Sequence, residues 1–342
     1  FGQWYEQEMQ SSLTRFLGQK PVKLPAVDAR DALASIVYTS GATGRPKGVM
    51  LSHGNLLSNA FACADALGIS AQDQVFSVLP VAHLYGRVAG VYTSIAQSAC
   101  IVFGRGAGHV AEDLLSQKPT VLIGVPRVYE RVHGALLQEL DAGPATRRAM
   151  FRVAVDAGWA AQRKDVSALK VRLLPTGLTR RAGDALRERL GGRLRLAVSG
   201  GASLAPQIGR VFTALGIPLL QGYGLTEAGP VVSVNRVDDN DPASAGLPLR
   251  GVETRIEANG ELHVRGPGVM LGYWQDEEGT RAALDEAGWL RTGDKVSRLD
   301  MDRIYLVGRL KELLVTATGE KASPADIEAR LRALPLVDQV MV

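Results

Sequence analysis

The stretch Tyr38-Thr39-Ser40-Gly41-Ala42-Thr43-Gly44-Arg45-Pro46-Lys47-Gly48-Val49 packs glycines, hydroxyl side chains and a single lysine into one short loop. Glycines let successive backbone N–H groups turn toward an anion, hydroxyls add donors, and a lysine supplies a mobile positive charge. Such a loop suits a triphosphate. Its spacing is not that of the P-loop NTPases, which need Gly-x-x-x-x-Gly-Lys-Ser/Thr; here Lys47 follows Pro46, and the glycines fall at Gly41, Gly44 and Gly48. A kinase or GTPase is therefore disfavoured. The loop is expected to follow a strand and to precede a helix.

Outward from the loop, short runs rich in valine, isoleucine and leucine alternate with longer segments of helical periodicity from Leu33 to about Leu220. This is α/β grammar. Strands are expected at Ser35–Tyr38, Gln74–Leu79, Ala99–Phe103, Thr120–Gly124, Arg193–Val198 and Ile217–Gln221, all as buried parallel strands. Crossover helices are expected at Asn55–Leu67, Leu84–Gln97, Arg127–Leu140 and Ser203–Leu215. After Glu227 the pattern changes. Val252–Ile256 and Glu261–Val264 flank Asn259-Gly260, which suits a type I′ hairpin and a smaller antiparallel sub-domain. Ser323-Pro324 opens an expected helix over Ala325–Leu334, and Val337–Val342 begins an apolar strand. The resulting division is residues 1–227 as an α/β part, 228–307 as a β-rich part, and 308–342 as a hinge with the start of a further α+β domain.

With 342 residues, 46% of them hydrophobic, the chain can bury a sizeable core. The two cysteines, Cys63 and Cys100, sit far apart in apolar surroundings, which fits small buried hydrophobes in a reducing, cytoplasmic compartment. A net charge of +4 is too mild to name a partner. Val88–Phe103 is the most apolar long stretch, but Thr93, Ser94, Gln97 and Ser98 make it too polar for a membrane span. The arginine-rich region Arg147–Arg195 reads as a solvated helical face; a use against anionic membrane, CoA or an acidic carrier protein is the alternative. Nucleic acid is not an expected partner.

Further glycine-rich segments lie at expected strand ends, where ligands of open α/β sheets collect. Gln221-Gly222-Tyr223-Gly224-Leu225-Thr226-Glu227 offers an aromatic face for a base and a hard carboxylate for Mg²⁺. Ser199-Gly200-Gly201-Ala202-Ser203 allows a planar ring to approach the backbone. Gly288-Trp289-Leu290-Arg291-Thr292-Gly293-Asp294 and Gly308-Arg309-Leu310-Lys311-Glu312 follow, and His83 sits in Leu79-Pro80-Val81-Ala82-His83-Leu84-Tyr85-Gly86-Arg87 at an expected strand-to-helix junction.

In kind and in order, these segments resemble the superfamily of adenylate-forming enzymes: acyl-CoA synthetases, adenylation domains of peptide synthetases and luciferases. The resemblance implies the large N-terminal domain of that fold. It assigns phosphate binding to Thr39, Ser40, Gly41, Thr43, Gly44 and Lys47, with Ala42 standing where the usual pattern has a threonine and removing one donor. Gly201, Ala202 and Gly222 to Gly224 become the adenine side, with Tyr223 on the base; Thr226 reaches the AMP phosphate and Glu227 holds Mg²⁺. Lys47, Thr226 and Glu227 are thus the implied catalytic residues. Asp294 and Arg309 meet ribose, Arg309 and Lys311 form the hinge, and His83 and Gly200 line the acyl pocket. Arg87, Pro119–His133, Ser199–Leu204 and Gly319–Ile327 resemble bacterial long-chain acyl-CoA synthetases in particular.

The implied reaction is ATP-dependent adenylation of a fatty acid followed by thioester formation with CoA; an acyl-AMP ligase or acyl-carrier-protein synthetase is the runner-up, and a non-catalytic nucleotide- or acyl-binding module the reading from another class. The resemblance also places a further lysine beyond Val342 and more of the large domain before Leu33, so this chain is expected to bind nucleotide better than it adenylates.

Overall fold

A computed structural model describes residues 30–40, 46–106, 108–162, 176–297 and 302–310, with 314–315, 321–322 and single positions at 327, 331 and 340. Strands β1 (Leu33–Ser40) and β2 (Pro46–Ser52) pair antiparallel, with Thr39 opposite Lys47 and Ser40 opposite Pro46. This corrects two expectations. Ser35–Tyr38 is not in the parallel sheet, and the phosphate-type loop joins two strands rather than a strand and a helix. The physical reason is length: the segment 41–45 suffices for a hairpin, whereas parallel pairing needs a crossover of about a dozen residues or more. The helix expected from Asn55 follows β2 directly as α1 (His53–Leu67). Ser52 and Asn55 cap it reciprocally: Ser52 Oγ accepts from Asn55 N at 3.0 Å, and Asn55 Oδ1 accepts from Ser52 N at 2.8 Å.

The other five expected parallel strands form one array. It comprises β3 (Gln74–Ser77), β4 (Cys100–Phe103), β5 (Val121–Gly124), β6 (Leu196–Ser199) and β7 (Leu219–Gly224), extended by the antiparallel β8 (Val231–Val234) and β9 (Leu247–Pro248). The order of this seven-stranded sheet is β4-β3-β5-β6-β7-β8-β9. Its strands bury both faces by alternation. Val75, Val121, Ile123, Val198 and Leu220 pack toward Ala62, Cys63 and Ala66 of α1. Phe76, Leu122, Ala197 and Leu219 pack toward Tyr129, Leu186 and Phe212 on the opposite helical layer.

That layer contains α4 (Pro126–Asp141), α5 (Ala145–Gln162), α6 (Thr176–Arg189) and α7 (Pro206–Ala214), after the short α2 (Thr93–Ala96) and α3 (Val110–Gln117). The single helix expected over Leu84–Gln97 is instead a π-helical segment, Gly86–Tyr92, running into α2. Thr93 N–H and Oγ both donate to Val88 O, five residues back, which is the wider turn itself. Cys63 is buried, and that burial pushes its thiol up to about 12. Cys100 is exposed, contrary to the expected buried role, because β4 is the edge strand.

The N-terminal ends of β3, β5 and β6 are tied together at Asp73, which is only 3% exposed. Its carboxylate accepts from Arg195 Nε and Nη2 at 2.7 and 2.6 Å, from Thr120 Oγ1 at 2.8 Å and from Ser70 N at 2.9 Å. Burial acts to raise this carboxyl, but the hydrogen bonds and the guanidinium charge outweigh it and hold it down at about 2. A depressed carboxyl stabilises the fold above its unfolded value and loses that contribution as pH falls through the folded one. Stability on the order of 2 kcal/mol is therefore expected to disappear between about pH 4 and pH 2, and Asp73→Asn to flatten that part of an acid-denaturation curve. Equal acid slopes for the two proteins would contradict this.

The rest is antiparallel. β10 (Glu253–Ile256), β11 (Glu261–Arg265), β13 (Leu290–Val296) and β14 (Leu306–Arg309) form a four-stranded sheet in the order β10-β11-β13-β14, while β12 (Gly272–Tyr273) joins β2 in a separate sheet and α8 (Glu277–Ala283) follows it. The β10–β11 connection is not the expected type I′ turn. Gly260 has φ +85°, but Asn259 has no positive φ; Gly260 N donates to Glu257 O and Asn259 Oδ1 accepts from Glu261 N. The asparagine's local hydrogen bond favours this longer loop. β15 (Leu314–Val315) and β16 (Lys321–Ala322) pair antiparallel. The helix expected over Ala325–Leu334, the strand over Val337–Val342 and the hinge residue Lys311 lie outside the described residues, apart from isolated positions.

Candidate functional site

Glycine-rich turns gather at the C-terminal ends of β5, β6 and β7, as the parallel arrangement requires. Along β7, Gly222 pairs with Val234 and Tyr223 with Ser233, so the Tyr223 ring is buried at the edge between the large sheet and the antiparallel one. Its hydroxyl donates to Asp294 Oδ2 at 2.6 Å. Burial, and then the charge of Asp294, push this phenol well above its ordinary range, so it remains a donor.

Asp294 lies on β13 opposite Arg309 of β14, and Arg309 Nε stands 3.0 Å from Asp294 Oδ1. The preceding residues of β13 are fixed from below: Thr292 Oγ donates to Leu262 O at 2.6 Å, and Gly293 N donates to Glu261 Oε1 at 2.9 Å. Tyr223, Asp294 and Arg309 thus form one connected group, although far apart in the chain. A carboxylate offers about four acceptor positions, and Arg309 is half exposed, so hydroxyl donors can join or exchange at Asp294.

A second group surrounds Lys47. Its Nζ sits 4.5 Å from the centre of the Tyr273 ring and 3.3 Å from Asp276 Oδ2. Asp276 caps α8 by accepting from Gly279 N at 2.7 Å; that bond and the Lys47 charge hold its carboxyl below the usual range. Tyr273 OH donates to Glu227 Oε1 at 2.9 Å. Glu227 lies in a 3₁₀ turn, Thr226–Ala228, which Thr226 O closes by accepting from Gly229 N. Asn59 of α1 braces this turn, donating to Val231 O at 2.7 Å and accepting from Val231 N at 3.2 Å.

Tyr273 and Asp276 were absent from the sequence-based site. Nothing in Gly272-Tyr273-Trp274 announces its partner, because the pairing depends on β12 meeting β2, with Tyr273 opposite Val49. Thr39 is half-buried in β1 and Ser40 ends that strand; Gly41, Ala42, Thr43 and Gly44 lie outside the described residues. His83 and Arg87 fall on a different wall. His83 is exposed at the start of the helical turn, and Arg87 Nε donates to Val81 O at 3.0 Å and Nη1 to Ser35 Oγ at 3.1 Å. Gly200 is buried against Tyr85, whose ring carbon would lie 2.8 Å from a Cβ built there; Gly201, with φ +82°, and Ala202 are exposed beyond it. Among the described residues, no hydrogen bond or ion pair joins this wall to the Lys47 group.

Comparison with known proteins decides the family. The profile described as AMP-binding enzyme matches residues 3–274. The chain belongs to this AMP-binding enzyme family. A member from Mycobacterium bovis, a long-chain-fatty-acid–CoA ligase, is 34% identical over 327 residues, covering 94% of this chain and 53% of that protein. A chloroplastic long-chain-fatty-acid–[acyl-carrier-protein] ligase from Arabidopsis thaliana is 30% identical over 402 residues, covering 98% of this chain and 52% of its own length. Among solved structures, ATP-bound MatB from Rhodopseudomonas palustris superposes with a TM-score of 0.71 at 26% identity, over 96% of this chain and 58% of that one. The AMP-binding chain spans about half the length of the curated relatives it matches. Its parallel sheet flanked by helices, with added antiparallel sheets, is the expected adenylate-forming fold. No described helix is long and apolar enough to cross a membrane.

Proposed function

We propose that this chain carries the nucleotide site of a long-chain fatty acid–CoA ligase. The observation that carries the reading is the meeting of two distant charged groups, Lys47 and Glu227, on one side chain, Tyr273, beside the Tyr223–Asp294–Arg309 group. In this reading Tyr223, with Gly201, Ala202, Gly222 and Gly224, takes the adenine. Asp294 and Arg309 take ribose, and Lys47 with Thr39, Ser40, Thr226 and the 41–45 loop takes the phosphates. His83 and Gly200 face the acyl group.

Mg²⁺ fits as part of the substrate. The described residues contain no cluster of three ligating side chains, but Mg²⁺ is ordinarily held by one or two carboxylates plus phosphate oxygens and water. Glu227 supplies one carboxylate, and a Lys47 ammonium offsets charge on the departing pyrophosphate. The fatty carboxylate oxygen attacks the α-phosphorus, the bond to the β-phosphate oxygen breaks, and pyrophosphate leaves with its electron pair. The thiol sulfur of CoA then attacks the acyl carbon, its proton passing to solvent, and the acyl C–O bond breaks as AMP leaves with the electron pair. The protein supplies alignment and electrostatics rather than a nucleophile.

The acyl-carrier-protein relative supports a second reading with the same first step and a different thiol. A Lys311 hinge, the 228–307 and 308–342 divisions, and contact with an anionic membrane through the arginine-rich helices belong to the same proposal. Acid-dependent ATP–pyrophosphate exchange, measured on the intact protein across fatty, aryl and amino acids, tests the reading. Exchange with long-chain fatty acids is expected; exchange with amino acids alone would overturn it. Thioester formation with CoA rather than carrier protein separates the two acceptors.

A further inference from the structure

Residues 270–276 cross between the two halves of the phosphate region and are fastened to both. Met270 N donates to Glu227 O at 2.8 Å, Leu271 N to Met50 O at 2.9 Å, and Trp274 N to Gly48 O at 2.7 Å. The segment thereby holds a fixed position against the strand bearing Lys47 and the turn bearing Glu227. Tyr273 uses that position twice. Its hydroxyl donates to one oxygen of Glu227 at 2.9 Å, and its ring face lies 4.5 Å beneath the Lys47 ammonium. Asp276, fixed by the α8 N–H groups, takes the same ammonium at 3.3 Å.

We propose that Tyr273 is a positioning residue that orients the Glu227 carboxylate and the Lys47 ammonium around one Mg²⁺–triphosphate site. The inference rests on the nucleotide reading above. A hydroxyl that binds one carboxylate oxygen turns the other toward a metal, and a lysine already seated on a ring loses less side-chain freedom when it meets a phosphate. The effect is confined to the β- and γ-phosphates and their metal. AMP, which lacks them, does not engage it.

The test is calorimetric titration of the 342-residue chain with AMP and ATP, each with Mg²⁺ and with EDTA, for the unsubstituted protein, Tyr273→Phe and Tyr273→Leu. Phenylalanine keeps the ring beneath Lys47 and removes only the hydroxyl. Tyr273→Phe is expected to weaken Mg·ATP about tenfold, to leave ATP in EDTA unchanged, and to hold AMP within about twofold, the size expected for one hydrogen bond to a charged group. Tyr273→Leu is expected to weaken ATP in EDTA as well. Retained AMP affinity shows that the variant is folded. Equal losses for AMP and Mg·ATP, or no loss for Mg·ATP, would overturn the inference and leave the nucleotide site standing. An unsubstituted chain that binds neither nucleotide would overturn the nucleotide reading and this inference with it.

Discussion

Asp294→Asn is expected to weaken AMP and Mg·ATP by the same factor, roughly 10- to 100-fold, because the ribose it is proposed to meet is common to both ligands and a charge-assisted hydrogen bond contributes about 1.5–3 kcal/mol. The equality is the informative part. Losses at Lys47 or Tyr273 should fall on ATP, which carries the extra phosphates. The asparagine can still accept from Tyr223 OH, so the buried phenol keeps a partner, and Arg309, half exposed, can turn to water. A small shift in melting temperature is therefore expected beside a large loss of binding. Titration calorimetry with both nucleotides checks it; unchanged AMP affinity would remove Asp294 from the site.

Gly224→Ala should act by a different route, through the fold. A Cβ at Gly224 would lie 2.0 Å from Pro230 O, 2.9 Å from Pro230 C and 2.9 Å from Val231 Cα, all backbone atoms. The Pro230 carbonyl accepts from Leu225 N at 2.9 Å and cannot move without breaking the turn that presents Thr226 and Glu227. The β7–β8 register already shifts between Tyr223 and Gly224 to make this approach. The variant is expected to lose about 3 kcal/mol of stability and most nucleotide binding with it. Chemical denaturation reads the first effect; a midpoint unchanged from the parent would contradict the packing account. Sequence reasoning gave this glycine a ligand role, and the structure supplies a close backbone contact as a sufficient reason for it.

The large sheet was legible because its strands bury both faces and so read as short apolar runs. Gln74–Leu79, Thr120–Gly124 and Ile217–Gln221 each overlap an observed strand. Ser35–Tyr38 shows where that signal fails. Apolar composition reports burial and not partner, and its true partner β2 was hidden inside a segment read as loop and helix approach. The arginine-rich stretch, read as a solvated helical face, does carry α5 and α6, but its exposed charge masked the buried positions Ala154, Val155 and Leu186. For the candidate site, the short motifs singled out Lys47, Tyr223, Glu227, Asp294 and Arg309, since each lies in or next to a glycine-containing segment of unusual composition, four of them on strands and Glu227 on a 3₁₀ turn. Tyr273 and Asp276 could not be read. They owe their place to a two-residue strand, Gly272–Tyr273, docking on β2.

The most direct measurement is competition binding of a non-hydrolysable long-chain acyl-adenylate to this chain, against ATP, AMP and a short-chain acyl-adenylate. A nucleotide site joined to a fatty-acyl pocket predicts mutual exclusion with ATP and at least about tenfold tighter binding of the long-chain compound than of AMP, since about 0.8 kcal/mol accompanies each buried methylene. Simultaneous binding of ATP and the acyl-adenylate, or equal affinity for the long-chain compound and AMP, would contradict it.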